Sequence, residues 1–592
     1  MLVLASDVME RICSRLTNLY GVERERNLMA RIELLIGRYG LAAECRNSQE
    51  ESNWSQADSI LITYGDMVTD GDEKPLVTLK TFLDEKVGPR IPIVHILPFF
   101  PWTSDDGFAV VDYRQVAPEL GGWEEIEDLA GTRRLMVDLV LNHVSSASRW
   151  FRSYCIGMAP ERDFFIEVEE GTDLRDVVRP RMSPLLKEVQ TPYGRKFVWT
   201  TFSQDQVDLD FANPDVLFEL LDVLLFYIYK GARVIRLDAI AYLWKEVGTS
   251  CIHLWQTHEI VKLMRDVLSL LAPNVLLLTE TNVPHKENVS YFGGGDEAQI
   301  VYQFSLPPLL LHALHFGDAR HLVEWAKSLG APPEGCTYLN FSASHDGIGL
   351  RPLEGLVPKS EIDALIDDIE AKGGLVSRRS NADGSTTAYE LNTAWFSAVD
   401  VPGDAEKSIA KFLCSQTLVL GLQGIPAVYF NNLFAAENDL LGVERTGRAR
   451  SINRRKWARK EIEAFFDAED ETREKSIFEE YLRRLELRAS QAAFHPDSPQ
   501  RVLDLPRGLF GVKRGGGEDA QAIFMIANVT GDVVSASVNR WGASAGFGPM
   551  RDLLSGEVLA EGTGSRKVSI GPWRVVWLVS DGLGEGGAAT GK

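Results

Sequence analysis

Carboxylate side chains stand at or near the carboxyl ends of four short apolar runs. Asp138 lies in DLVLNH, Asp238 in RLDAI, Glu280 in LLTE and Asp346 in SHD. If these runs are parallel strands of one barrel, their ends converge on one face. Carboxylates packed together repel one another, so one of them is driven to hold a proton. An acid beside an ionised carboxylate is the pair that glycoside cleavage requires.

A single strand-end carboxylate could equally cap a helix or pair with an arginine, but three of them on separate runs favour a shared site. Arg236 stands two residues before Asp238, and therefore on the same face of its strand. It can hold Asp238 ionised through a charge-assisted hydrogen bond. The neighbouring acids are expected to keep Glu280 protonated at neutral pH. Asp138 is expected to organise the site by hydrogen bonding.

Eight apolar runs, most of them separated by helix-length segments, predict the scaffold that positions these residues. Continuous apolar strands alternating with helices are typical of a parallel sheet covered by helices. Eight such units predict an α/β fold of the (β/α)8 TIM-barrel type. A doubly wound sheet is the competing fold, although no GxGxxG follows the first run. The runs span 60–64, 91–97, 134–141, 232–240, 275–280, 299–304, 336–344 and 426–430.

The spacing of apolar residues changes along the chain and indicates separate regions before and after this barrel. Residues 1–52 carry apolar side chains at helical spacing and predict an N-terminal helical extension. The barrel is expected over 53–487, with inserted subdomains at about 144–208 and 347–402. Over 488–582 the pattern is alternating and turn-rich, which predicts a C-terminal antiparallel β domain.

Composition excludes several classes of protein. With 62 basic and 84 acidic residues the net charge is −22, which excludes a generic nucleic-acid binder but not a small anionic substrate. The six cysteines form no CxxC pair, as expected for reduced thiols without a metal site. Without a secretory leader or a membrane-length apolar run, a cytoplasmic protein with no membrane partner is expected. The Gly-rich end, 583–592, is expected to be a flexible tail.

The four acid-bearing motifs, taken in order, resemble the signature regions of the α-amylase superfamily, glycoside hydrolase family 13. The resemblance extends from about residue 55 to the end of the chain. It implies that Asp238 is the nucleophile, Glu280 the general acid/base and Asp346 the stabiliser of the transition state. This chemistry requires neither a metal nor a cofactor.

A finer resemblance is to the sucrose-phosphorylase subfamily. It is carried by HILPFFPWTSDDGFAVVDYRQV, RPRMSPLL, FSQDQVDLDFANP and GRARSINRR. Some side chains in these segments also have a structural alternative: Phe108 and Phe202 could be core residues, Gln206 a loop residue and Asp105 a turn cap. The resemblance assigns contacts with the glucosyl ring to Asp105, Phe108, His143, Phe202, Gln206 and His345.

Arginines complete this resemblance. Arg181 would approach phosphate, although it could also be an ordinary surface residue. One arginine of GRARSINRR would pair with Asp105. Both Arg448 and Arg454 fit, and Arg454 is preferred.

The segment after the seventh run bears on the acceptor. In sucrose phosphorylases an acid followed by Leu-Tyr-Gln contacts fructose there. Here Thr387 replaces the acid and Glu390 replaces the glutamine, whereas Tyr389 and Asn392 match. Sucrose is therefore a doubtful substrate.

Other motifs resemble the glucosylglycerate phosphorylase branch nearly end to end, namely TETNVPHKENVSYFG, EVGTSCIHL, YQFSLPP and ASHDGIGL. That branch implies an acceptor with a carboxylate, which arginine binds bidentately. Each candidate arginine could instead be solvated. The candidates are Arg175, Arg179, Arg181, Arg378 and Arg379.

The resemblance thus implies a hexosyltransferase-type enzyme with small-molecule substrates. It would convert 2-O-α-D-glucosyl-D-glycerate and phosphate reversibly into α-D-glucose 1-phosphate and D-glycerate, through a β-glucosyl-enzyme. The alternatives left open are a sucrose phosphorylase, a glucosylglycerol phosphorylase, a hydrolase and an inactive carbohydrate-binding homologue. The sequence gives no indication of the oligomeric state.

Overall fold

Eight parallel strands close into a barrel, so the predicted fold class is confirmed and a doubly wound sheet is excluded. The strands are buried on both faces, which explains their continuous apolar character. The computed structural model describes residues 2–41, 52–380, 385–516, 521–537, 549–560 and 567–580. The predicted tail, 583–592, lies outside these described residues. The strands are β1 (Ile60–Thr63), β2 (Ile93–Ile96), β3 (Arg134–Val140), β4 (Ala232–Asp238), β5 (Leu276–Thr279), β6 (Ile300–Tyr302), β7 (Thr337–Asn340) and β8 (Ile425–Tyr429).

Helices follow the strands and cover the outside of the barrel. Several begin at a side chain that caps a backbone N–H, as Asn213 and Asp404 do. Between the strands lie Pro75–Phe82, Trp123–Ala130, Pro214–Tyr229, Trp255–Leu271, His285–Asn288, Leu306–Phe316, Arg320–Ser328, Lys359–Ala371, Trp395–Val399 and Ala405–Gly421, and after β8 lie Leu440–Thr446, Arg459–Asp467 and Arg473–Ala489.

Two long connections add small sheets after β3 and β7. Loops in these positions form the pocket of a barrel enzyme. The first connection contains the helix Arg149–Cys155 and two short paired strands, His143–Ser145 and Gln206–Asp208. It also contains an antiparallel sheet of the strands Glu167–Val168, Gly194–Trp199 and Leu186–Thr191. The second contains an antiparallel sheet of Ile348–Gly349, Thr386–Asn392 and Leu375–Ser380.

The N-terminal helices Leu2–Tyr20 and Glu25–Arg38 pack on the barrel helices Pro214–Tyr229 and Trp255–Leu271. Their buried apolar side chains join the barrel core. Ion pairs connect the N-terminal helices to the barrel helices: Arg15 lies 2.6 Å from Asp266, and Arg31 lies 2.7 Å from Asp215.

The C-terminal region is antiparallel. Two buried arginines, Arg488 and Arg514, donate to backbone carbonyls at the end of the helix Ala405–Gly421, which joins this region to the barrel. None of the helices in the described ranges is long and apolar enough to cross a bilayer. The main sheet has the order Gln500–Val502, Leu509–Gly515, Ala522–Asn528, Val575–Ser580, Met550–Asp552 and Val558–Ala560, and Val534–Ser537 pairs with Lys567–Ile570.

Candidate active site

The barrel brings two of the predicted catalytic carboxylates side by side. Asp238 is the last residue of β4, and Glu280 directly follows β5. The register pairs Leu237 with Thr279, so the next residue of each strand meets the other at the rim. The amide N–H of Ala239 donates to Glu280 Oε2 at 3.0 Å, which ties the turn after Asp238 to the second carboxylate.

A buried chain of hydrogen bonds holds Asp238. Arg236 Nη1 lies 2.8 Å from Asp238 Oδ1 and also contacts Asp138. His95 Nε2 lies 2.6 Å from the other oxygen of Asp138. Asp138 is fully buried and faces no open site, as expected for an organising residue. His95 was not among the predicted residues, although a histidine inside the apolar run IPIVHIL was a signal.

Burial, together with the charge of the neighbouring acid, raises the pKa of Asp238. Burial and the charge of Asp346 likewise raise the pKa of Glu280. Because the pKa values of Asp238 and Glu280 are both raised, the two carboxyl groups together tend to carry one proton. The negative charge is better placed on Asp238, because the guanidinium of Arg236 donates to it directly. Glu280 receives only a backbone N–H and is the better site for the proton.

Arg450 holds Asp346, the third predicted catalytic residue. Its Nη1 lies 2.6 Å from Asp346 Oδ1, and its Nη2 lies 2.8 Å from Glu390 Oε1. Although burial acts in the opposite direction, Arg450, His345 and Arg454 hold the pKa of Asp346 far below its usual range. Glu390 is fully buried and therefore fixes Arg450 instead of facing the open site. Sequence reasoning missed Arg450.

The predicted partner of Asp105 is wrong. Arg454 and Arg448 both pair with Asp106, whereas Arg450 approaches Asp105 at 4.0 Å. Both aspartates have positive φ, 54° and 48°, and their carboxylates meet different arginines. Such a turn cannot be read from the sequence.

Gly107 fixes the loop that follows these aspartates. Its φ is +113°, and a Cβ there would lie 2.5 Å from the carbonyl oxygen of Pro98. Only glycine fits this approach. The next residue, Phe108, stacks on His345 with ring centroids 5.1 Å apart and planes at 10°.

A second group of predicted residues gathers around His143. Its Nε2 lies 3.0 Å from the amide nitrogen of Gln206 and 3.1 Å from the carbonyl oxygen of Phe108. The ring of Phe202 lies 5.2 Å from the imidazole. Burial lowers the pKa of His143, and lowers that of His345 to about 3. Both histidines are therefore neutral near pH 7.

Lys245 supports this group from behind. It is buried, with its Nζ 2.6 Å from Asp208 and 2.5 Å from the side-chain oxygen of Asn142. Asn142 in turn contacts His143 Nδ1 at 3.2 Å. Lys245 was not predicted, although a lysine directly after the apolar segment AIAYLW was a signal.

The structure separates the arginines proposed for phosphate or the acceptor. Arg181 is half-buried, with its guanidinium 6.0 Å from the ring of Tyr389. Arg379 pairs with Glu354 at 3.0 Å. Arg378 is exposed. Arg175 pairs with its neighbour Asp173, and Arg179 donates to the carbonyl oxygen of Ser183; both line an open cavity together with Arg379.

One cluster elsewhere contains side chains that could bind a metal. His312, His321 and Glu361 bring one ligand atom each within 4.8 Å of one another. They lie on outer helices of the barrel, not at the strand ends that carry the carboxylates.

Comparison with known proteins identifies the family. The alpha amylase catalytic domain matches residues 90–327. A glucosylglycerate phosphorylase of Allomeiothermus silvanus is 46% identical over 89% of this chain and 94% of its own length. One from Spirochaeta thermophila is 42% identical over 96% of this chain and 98% of its own length.

More distant relatives act on other glucosides. A sucrose phosphorylase of Agrobacterium vitis is 30% identical over 68% of this chain and 83% of its own length. The crystal structure of a sucrose 6F-phosphate phosphorylase from Thermoanaerobacter thermosaccharolyticum shares the fold, with a TM-score of 0.69 and 24% identity, covering 82% of this chain and 95% of that one. This chain belongs to the α-amylase family, glycoside hydrolase family 13, and is one of its glycosyltransferase-type glycoside phosphorylases.

Proposed function

We propose that this enzyme cleaves 2-O-α-D-glucosyl-D-glycerate with inorganic phosphate, giving α-D-glucose 1-phosphate and D-glycerate. The observation that carries the proposal is the match to glucosylglycerate phosphorylases at 40–46% identity over 89–96% of the chain. The contacts around Asp238 and Glu280 support it, because they suit a carboxylate nucleophile beside a protonated acid.

The first step forms a β-glucosyl-enzyme. An oxygen of Asp238 attacks the anomeric carbon while the bond from that carbon to the 2-oxygen of glycerate breaks. Glu280 gives its proton to the departing oxygen. Asp346, which Arg450 contacts, stabilises the positive charge that develops on the sugar in this scheme.

The second step returns the enzyme to its starting state. A phosphate oxygen attacks the anomeric carbon, the bond to Asp238 breaks, and a proton of the incoming phosphate passes to Glu280. Two inversions give net retention, for which the two carboxyl groups should lie about 5–5.5 Å apart. Phosphate is a substrate in this scheme, and no cofactor takes part.

A panel of donors tests the proposal. Purified enzyme is given glucosylglycerate, sucrose or 2-O-α-D-glucosylglycerol, each with and without phosphate, and α-glucose 1-phosphate and free glucose are measured. We expect α-glucose 1-phosphate from glucosylglycerate alone, and only with phosphate. Release from another donor would replace the acceptor assignment, and glucose release independent of phosphate would indicate a hydrolase.

Sucrose and glucosylglycerol phosphorolysis are weaker candidates. Relatives with those names are 28–30% identical, far below the glucosylglycerate phosphorylases. The residue at the fructose-contacting position is Thr387 instead of an acid, which also disfavours sucrose.

A further inference from the structure

Arg351 is a guanidinium at the rim of the barrel that neither the catalytic steps nor the sequence resemblance uses. It begins a short helical turn, Arg351–Leu353, directly after the strand Ile348–Gly349. The amide of Leu350 donates to the carbonyl of Tyr389 at 2.9 Å. Arg351 therefore starts beside the segment at which acceptor contacts are expected.

The side chain of Arg351 is 15% exposed, and its hydrogen-bonding capacity is unused. Its Nη2 lies 3.7 Å from Glu287 Oε2, which is too long for a hydrogen bond. Within the described ranges no other group accepts from it. A largely buried guanidinium with five free N–H donors is placed to bind an anion.

Tyr242, four residues after Asp238, is influenced by the charges around it. Its phenol is buried, and burial is the main reason why its pKa is raised. The charges of Glu280 and Tyr389 raise the pKa further, whereas those of Arg351 and Arg181 lower it. Tyr389 gives the geometric link between the two arginines: the guanidinium of Arg181 lies 6.0 Å from its ring, and the residue before Arg351 donates to its carbonyl oxygen. Phe202 meets the ring of Tyr242 edge-on at 5.5 Å, so this place adjoins the predicted glucose contacts.

A buried polar atom without a partner lies beside the segment that carries Arg351. Within the described part of the chain, Asn282 Oδ1 is shielded from solvent and has no hydrogen-bond partner, whereas His253 Nε2 and Glu287 Oε2 lie 3.2 Å from each other. Asn282 stands two residues after Glu280 and packs against Gly349, where a Cβ would lie 2.6 Å from its Oδ1. Leaving a buried polar atom unpaired is costly, and an unpaired amide oxygen near a guanidinium that makes no hydrogen bond indicates a polar ligand such as a hydroxy acid.

We infer that Arg351, together with Arg181, binds the carboxylate of the acceptor and makes the enzyme select an anionic hydroxy acid over a neutral polyol. The inference rests on the proposed function and assigns the selection of the acceptor to a particular residue, Arg351. In a retaining phosphorylase, phosphate and acceptor occupy the same side of the glucosyl-enzyme in turn. Arg181 can therefore serve both anions, whereas Arg351 accounts for the preference among acceptors.

Arg351→Met tests the inference in the synthetic direction. The rate of transfer from α-glucose 1-phosphate is measured with D-glycerate and, separately, with glycerol as acceptor. Losing one charge-assisted pair should raise the KM for D-glycerate by roughly 10- to 100-fold and leave the KM for glycerol within about threefold. Arg351→Lys keeps the charge but not the planar guanidinium that binds a carboxylate bidentately, so it should recover part of the lost affinity for D-glycerate. The matched control is Arg195→Met, because Arg195 lies on an exposed hairpin and pairs with Glu170.

A reaction without glycerate separates the possible failures. Arsenolysis of α-glucose 1-phosphate reports glucosyl-enzyme formation, and it should fall much less than glycerate use in Arg351→Met. An unchanged KM for D-glycerate would overturn the role of Arg351 while leaving the proposed function intact. Equal losses with glycerate, glycerol and arsenate would also overturn it, since Arg351 would then support the whole site. A wild-type enzyme that transfers glucose to glycerol but not to glycerate would overturn both proposals.

Discussion

Replacing Arg450 by methionine removes the cation shared by two carboxylates. The guanidinium lies 2.6 Å from Asp346 and 2.8 Å from Glu390, whose side chain is 1% exposed. Removing one partner of a buried ion pair costs about 3–5 kcal/mol. Because Asp346 is 21% exposed and Arg454 remains 3.8 Å from it, we expect the lower end. The free energy of unfolding should fall by about 3 kcal/mol.

The pH dependence of this loss follows from the depressed pKa of Asp346. A group whose pKa is lower in the folded state stabilises the protein above its unfolded pKa, about 3.9 for aspartate. That contribution is lost as the pH falls through the folded pKa. The difference between wild type and Arg450→Met should therefore be constant from about pH 8 to 5, and it should shrink below about pH 4.

Urea unfolding followed by circular dichroism measures both effects, and initial rates of phosphorolysis measure the effect on catalysis. Loss of the correctly held Asp346 should lower kcat/KM by roughly 100-fold, equivalent to about 2.7 kcal/mol in the barrier. Arg448→Met is the stability control, because its partner is Asp106 and its own side chain is 42% exposed. It should cost no more than about 1 kcal/mol. An Arg450→Met enzyme as stable and as active as wild type would refute the reasoning.

Three further predictions test other parts of the molecule. Asp238→Asn should abolish turnover with an unchanged circular dichroism spectrum; near-normal rates would refute the nucleophile assignment. Arg488→Met should lower the free energy of unfolding by at least about 3 kcal/mol in urea, because buried carbonyls of several segments lose their donor; an unchanged urea midpoint would contradict this. Arg15→Met should cost about 1–3 kcal/mol, because Arg11 remains 2.8 Å from the shared partner Asp266, and it should leave kcat unchanged; a loss of activity at full stability would show that the N-terminal helices act on the site.

The barrel and the meeting of its strand-end acids could be predicted because both depend on simple geometry. Strands buried on both faces must be apolar, and parallel strands of one barrel must end on one face. Asp238 and Glu280, which end neighbouring strands, therefore had to meet. Arg236 was predictable for the same reason, since alternate residues share a face of a strand.

The surroundings of these acids were less predictable because they depend on loops. Asp106 takes the two arginines that were predicted for Asp105, and both aspartates lie in a turn with positive φ. The short helical turn Ala449–Asn453 directs Arg450 inward. The segment GRARSINRR contains several arginines, and its pattern does not show which of them faces the site. Arg379 meets Glu354, a contact between distant segments that no local pattern encodes.

The most direct test of the central claim is a proton NMR time course of the wild-type enzyme with 2-O-α-D-glucosyl-D-glycerate. With phosphate, the first anomeric product signal should be that of α-D-glucose 1-phosphate, appearing in equal amount with D-glycerate. Without phosphate the donor should persist. First formation of the β-phosphate, or glucose release at the same rate without phosphate, would contradict the account.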